Sequence, residues 1–300
     1  MTENRKKIIY SVLAALCFVI LLAAGCWKDG HGKGDGISDA NEMTGVSEDG
    51  GQDYYMVVMG DSIMGQVKDG ETIPAKLEAL LGKKVYSGAL GGTCMGRLGE
   101  DGGKSRMRDA LSMVSFSKAI VSGDFRVQQG YRPEDSGTDY FPETIAGLAE
   151  IDFSKVEVLV IEHCVNDYHA GEVIYPEEDM YDEDTYVGAL RSTVKLLQQA
   201  YPDLRIVLVT PTYTWYTLLD ITCEEYVRGG NILEDYVNAE LAVAEELGLE
   251  SIDLYHDVYP HETWEDWKIY SSDGLHPNEA GREMLAQIIA DYFVQNPGKP

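Results

Sequence analysis

The chain has 300 residues, 44% of them hydrophobic, and a formal net charge of -27 at pH 7. That length fits one large domain or two small ones, and the apolar content supports a full core. The acidity excludes a nucleic-acid-binding face, which needs a basic surface, and argues against docking on anionic lipid headgroups, while 19 Tyr and 4 Trp argue against general disorder.

Arg5-Lys6-Lys7 precede an apolar stretch from Ile8 to Ala24 that ends in Ala23-Ala24-Gly25-Cys26. A basic start, an apolar middle and small residues at the junction are the parts of a secretory signal. The Cys at the junction resembles a bacterial lipobox, with Ala23 where Leu is commoner. Residues 1–25 are therefore expected to be a lipoprotein-type signal peptide. Cys26 is the expected lipidation (palmitate) site, and the body is expected at the cell membrane, lipid-anchored on the extracytoplasmic face. The alternative is an uncleaved anchor, although the apolar stretch is short against the roughly 20 residues of a span. Residues 26–53 form a linker, because from Lys28 to Asp53 the chain is rich in Gly and acids and holds no aromatic. As a flexible coil it would reach about 28 Å. With Cys17 in the signal and Cys26 lipidated, Cys94, Cys164 and Cys223 remain, without a CxxC pair, so at most one disulfide can form.

The folded domain is expected over 54–300. Tyr55–Met59 is a buried strand. Ile73–Leu81 has helical spacing, and Lys84–Ser87 is a short strand leading into the Gly-rich Gly88–Thr93 loop. Arg106–Val121 is a predicted helix. Ser122–Tyr140 is polar and long for a structureless loop. Phe141–Ala149 is a helix, Val156–Glu162 a strand, Thr185–Ala200 an amphipathic helix and Arg205–Thr210 a strand. Asn231–Leu247, Ser251–Leu254 and Glu279–Asn296 complete the set as helix, strand and helix. Strands alternating with helices define βαβ units on a parallel sheet, an α/β fold in three layers, α/β/α.

Gly60-Asp61-Ser62 closes the first strand. Open α/β sheets place ligands at that edge, which makes Ser62 a candidate nucleophile, although Gly-Asp-Ser is also a good turn sequence. A serine needs a base, and the base an orienting acid. Asp273-Gly274-Leu275-His276-Pro277 offers both, three residues apart, with Pro277 suited to the first position of the last helix. The same residues also make an ordinary turn before a helix. Acyl transfer further needs donors for an oxyanion. Asn166 follows the strand Val156–Glu162, and the Gly91-Gly92 loop follows the second strand.

These four blocks, in this order and spacing, resemble those of the SGNH (GDSL) hydrolases, from Tyr55 to near the end of the chain. The resemblance implies a flavodoxin-like parallel sheet of about five strands. It implies Ser62 as nucleophile, His276 as base and Asp273 as its orienting acid. Ser62, Gly92 and Asn166 would supply the oxyanion hole, with Asp61 in support. Cys164 stands where this family usually has Gly, and Ser87 where Asn is common. The Gly-x-Ser-x-Gly elbow of α/β-hydrolases is absent, since Met64 follows two residues after Ser62.

His163 and His169 flank Asn166 and either line the site or pack in core and loop. His261-Glu262 has no second His four residues on. No metal and no cofactor are expected. Loops Tyr168–Asp184, Pro211–Gly230 and His261–Ser272 bring Tyr213, Trp215, Tyr216, Trp264, Trp267 and Tyr270 toward the same edge. There they either stack on sugar rings or cover the core. No long aliphatic loop run offers an acyl-chain groove. The expected function is an extracytoplasmic serine esterase or deacylase acting on small acyl groups such as O-acetyl. Its substrate partner would be an acylated small molecule or polysaccharide, and the membrane would be met through the lipid anchor. The alternatives are an O-acyltransferase on cell-surface glycan and a non-catalytic glycan-binding protein.

Overall fold

The computed structural model describes residues 53–65, 71–98, 109–131, 138–256, 258 and 260–298. The expected signal peptide, Cys26 and almost all of the linker lie outside the described residues. Five short runs form one sheet: β1 (Met56–Gly60), β2 (Val85–Ser87), β3 (Val158–Glu162), β4 (Arg205–Val209) and, after a small antiparallel hairpin of β5 (Trp215–Tyr216) and β6 (Ile221–Thr222), β7 (Glu250–Ile252). Their order is β2-β1-β3-β4-β7, and every pairing is parallel. β1 and β3 are buried along their whole length. Burial on both faces explains why they read as continuous apolar runs rather than as alternating ones.

Chain direction across the sheet reverses at β1, which pairs with β2 on one side and β3 on the other, from Met56↔Val158 to Gly60↔Glu162. With right-handed crossovers, this reversal sends helices to opposite faces. α1 (Ser62–Gly65) follows β1 directly, and α2 (Ile73–Leu81) packs on the last helix, α10 (Glu279–Gln295). The other layer holds α3 (Met113–Ser122), α7 (Tyr186–Ala200) and α8 (Leu233–Leu247), each packed on the next. Between them in sequence lie α4 (Arg126–Gln129), α5 (Phe141–Ala149) and α6 (Val165–Ala170), while α9 (Trp264–Trp267) precedes the last helix. The amphipathic stripe of α7 places Tyr186, Ala189, Leu190, Val194 and Leu197 in the core. Each large apolar side chain so buried contributes about 1.5–3 kcal/mol.

Most elements match the sequence-based expectation to within one or two residues. Thr185 caps α7 through its side chain rather than opening it. Of the helix expected over Arg106–Val121, residues 106–108 lie outside the described residues; Asp109 and Ala110 are helical, and after a break at Leu111 and Ser112 a helix runs from Met113, where Ser112 accepts the N–H of Ser115. Pro277 is not the first residue of α10. Asn278 is the cap, accepting the N–H of Gly281 at 3.0 Å, and Pro277 bridges back to Ser271. The switch point between β1 and β3 is where a doubly wound sheet opens a crevice at its carboxyl edge. Ser62 and Asn166 follow those two neighbouring strands.

Candidate active site

Ser62 opens α1 immediately after Gly60 and Asp61 turn the chain out of β1. Its Oγ lies 3.0 Å from Nε2 of His276, and His276 Nδ1 lies 2.6 Å from Oδ2 of Asp273. The other carboxylate oxygen of Asp273 accepts the backbone N–H groups of Leu275 at 2.9 Å and His276 at 2.8 Å. Burial pushes the Asp273 carboxyl up, but the hydrogen bond and charge of His276 and the two N–H groups outweigh it and hold it at about 2. Asp273 is therefore an anion at neutral pH. It places the imidazole proton on Nδ1 and leaves Nε2 free to accept from the serine.

The loop carrying this pair is fixed from several directions. Ser271 Oγ donates to the His276 carbonyl at 2.8 Å and accepts the Gly274 N–H at 2.9 Å. The Gly274 carbonyl receives the N–H of Trp215 at 2.9 Å and the indole N–H of Trp267 at 3.0 Å. Gly274 has φ 93°, and a Cβ there would meet the Trp215 carbonyl oxygen at 2.0 Å. Only glycine fits both the left-handed backbone and that approach. Of the predicted aromatics, Trp267 and Tyr213 are thus buried supports, with Tyr213 stacked on His261 at 4.1 Å. Trp215 and Trp264 are half-buried, 6.3 Å apart.

Of the two loop glycines, Gly91 packs against the serine, while Gly92, the expected oxyanion donor, has φ 76°. A Cβ on Gly91 would lie 3.5 Å from Ser62 Cβ, whereas one on Gly92 would meet nothing within 4 Å. The N–H of Gly91 donates to the hydroxyl of Tyr140 at 2.9 Å. Asn166 sits in the first turn of α6. Its amide nitrogen donates to Asp61 Oδ2 at 2.8 Å and to the Thr93 carbonyl at 3.1 Å. Asp61 is fully buried, and its Oδ1 accepts the Ile63 N–H at 2.9 Å. Asp61 therefore ties the serine turn to the asparagine. Asp167 does the same for the Gly-rich loop, accepting the N–H groups of Met95 at 2.9 Å and Gly96 at 3.0 Å.

Both aspartates have a second carboxyl group beside them. Glu162, the register partner of Gly60, is fully buried, and its Oε2 is 3.4 Å from the Asp61 N–H. Burial first, then the Asp61 charge, pushes Glu162 far up, and burial lifts Asp61 to about 7. Two buried carboxyls this close oppose each other's ionisation, so each is pushed toward its protonated form. Glu172 stands to Asp167 in the same relation, raised by burial and then by the Asp167 charge.

His163 and His169 are packing residues. His163 is buried, with Nδ1 on the Glu162 carbonyl, and burial pushes it down to about 3. His169 Nε2 meets the Tyr216 hydroxyl at 2.7 Å; burial, then the Arg228 and His276 charges, lower it to about 4. Cys164 is fully buried in the core, and Cys94, Cys164 and Cys223 are all free thiols. Asp253 and His256 repeat the Asp-x-x-His spacing at 2.7 Å, but that imidazole faces Glu234 at 3.6 Å rather than a serine. Tyr140, Glu162 and Glu172 were missed from sequence, and no local pattern marks them.

The sequence matches the GDSL-like Lipase/Acylhydrolase family over residues 58–284, and the chain belongs to that family. Over 107 residues it is 31% identical to the human isoamyl acetate-hydrolyzing esterase 1 homolog, covering 34% of this chain and 42% of that protein. The mouse counterpart is 30% identical over the same length, so the alignment spans less than half of these relatives. Among solved structures, a protein from Lactobacillus plantarum superposes with a TM-score of 0.57 at 18% identity, covering 81% of this chain and 97% of that one. A possible lipase from Chitinophaga pinensis superposes with a TM-score of 0.50 at 17% identity, covering 80% and 97%. At those identities the likeness is one of fold.

Proposed function

We propose that this protein is a serine esterase that removes small acyl groups, O-acetyl foremost, from polysaccharide or a small acylated molecule, with Ser62 as nucleophile. The observation that carries the roles is the run Ser62 Oγ, His276, Asp273 at 3.0 and 2.6 Å. His276 Nε2 takes the serine proton as Oγ attacks the ester carbonyl carbon. The N–H groups of Ser62 and Gly91 and the amide of Asn166 stabilise the oxyanion. Asn166 keeps its 2.8 Å bond to Asp61 and exchanges the longer one, to Thr93, for the oxyanion. His276 then protonates the leaving alcohol, and water repeats the sequence on the acyl-serine to release the acid.

The small acyl group is supported by the lack of an aliphatic groove in the sequence and by the acetate ester named in the human relative. A sugar on the alcohol side is supported by Trp215 and Trp264 beside the His276 loop. The body is placed outside the cytoplasm, tethered by a lipid on Cys26 through the 26–53 linker, on the strength of the lipobox-like junction. Acetate release from an O-acetylated polysaccharide, compared with p-nitrophenyl decanoate hydrolysis, tests the substrate. Acetate release with no decanoate turnover is expected, and the reverse would refute it. Mass spectrometry of the native protein should find a lipidated N-terminus at Cys26; a chain retaining Met1 would contradict the anchor.

A further inference from the structure

Tyr140 is the N-terminal neighbour of α5, and its ring meets that of the buried Phe141 edge-on at 4.8 Å. α5 is itself tied to β2, where the Tyr86 hydroxyl donates to the Thr144 carbonyl at 2.8 Å. This scaffold holds the Tyr140 oxygen 2.9 Å from the Gly91 nitrogen. A Cβ on Gly91 would be 3.3 Å from that oxygen and 3.5 Å from Ser62 Cβ. Phenol and nucleophile-bearing residue therefore both pack on Gly91. The hydrogen-bonding position that a substrate carbonyl needs on the Gly91 N–H is held by a tyrosine.

The sheet order gives this a direction. The loop after β2 carries Gly91, and the hairpin after β4 carries Trp215, which is bonded to Gly274; β2 and β4 lie on opposite sides of β1. His276 must face the leaving oxygen to protonate it, so the alcohol departs on the β4 side and the acyl group points toward β2 and Tyr140. We infer that Tyr140 sets the acyl specificity of this site: its hydroxyl stands in for the substrate carbonyl in the free enzyme, and its ring limits the acyl group to two or three carbons. The inference rests on the esterase reading proposed above. Burial, first among its causes, lifts the phenol to about 12, so it stays neutral wherever the enzyme works.

The test is a p-nitrophenyl acetate, butyrate, hexanoate and octanoate series on wild type, Tyr140→Ala and Tyr140→Phe, with melting temperatures recorded. Wild-type turnover of acetate decides the esterase reading by itself. Wild-type kcat/KM should fall at least 100-fold from acetate to hexanoate, and Tyr140→Ala should raise the hexanoate-to-acetate ratio at least tenfold. Tyr140→Phe keeps the ring and frees the amide. It should retain the acyl preference and lower the acetate KM by about two- to tenfold, the worth of one ordinary hydrogen bond. The inference is overturned if Tyr140→Ala, still turning over acetate, keeps the wild-type ratio. It is equally overturned if Tyr140→Phe loses tenfold or more in kcat at unchanged KM, because the phenol would then be a transition-state donor.

Discussion

Replacing Asp273 by Asn changes one atom and inverts the chemistry of His276. The amide oxygen can still accept the N–H groups of Leu275 and His276, now held at 2.9 and 2.8 Å. Its NH2 then faces His276 Nδ1, where the carboxylate stood at 2.6 Å. That nitrogen must become an acceptor, and the ring proton moves to Nε2, 3.0 Å from Ser62 Oγ. A protonated Nε2 cannot take the serine proton. This tautomer inversion costs about 10⁴ in kcat in serine proteases with the same arrangement, equivalent to about 5.4 kcal/mol of barrier. The same loss is expected here for p-nitrophenyl acetate, with KM little changed. The Asp273 side chain is 54% exposed, so the pair adds little to stability and the melting temperature should move by no more than a few degrees. A folded Asp273→Asn enzyme within tenfold of wild type would refute the role given to Asp273.

Asn166→Ala should lower kcat by about 10²–10³ with a small change in KM; steady-state kinetics on the acetate ester decide it, and a KM effect alone would count against an oxyanion donor. Gly274→Ala forces a Cβ to 2.0 Å from the Trp215 carbonyl at φ 93°. The catalytic loop must shift, so activity should collapse and thermal unfolding should show a loss of about 1–3 kcal/mol. Glu240 is buried, accepts the Tyr186 hydroxyl at 2.7 Å and is pushed well up, chiefly by burial. Between its unfolded value and its raised folded one, the native state binds the extra proton, so stability falls as pH rises. Such a group contributes a slope of about 1.4 kcal/mol per pH unit. Calorimetry from pH 5 to 8 should show a shallower decline for Glu240→Gln than for wild type, and parallel slopes would contradict the buried proton.

The fold was legible because β1, β3 and β4 are apolar runs that serve a sheet covered on both faces. The stripe of α7 was equally plain. Helix starts were less so: Pro277 and Asn278 both suit a first turn, and only the Gly281 bond to Asn278 shows which one caps. In the site, the order of Ser62, Asn166, Asp273 and His276 along the chain was informative because each follows a strand or leads into the last helix. Gly91 and Gly92 are indistinguishable as letters; the packing of Gly91 on Ser62 separates them. Asp253–His256 and Asp273–His276 have one spacing and differ only in what topology sets opposite the imidazole. Glu162 ends an apolar strand and looks like its solvent-facing terminus, yet the β1–β3 register buries it against the serine turn. Tyr140 reaches Gly91 from far along the chain, a contact no local pattern carries.

Labelling with a serine-reactive fluorophosphonate tests the central claim most directly. The folded wild-type protein should be modified once, on the peptide containing Ser62, and Ser62→Ala should not be labelled. His276→Ala should slow labelling strongly, since Oγ loses the base 3.0 Å away. Labelling that persists in a folded Ser62→Ala protein, or modification of a different serine in the wild type, would contradict the account.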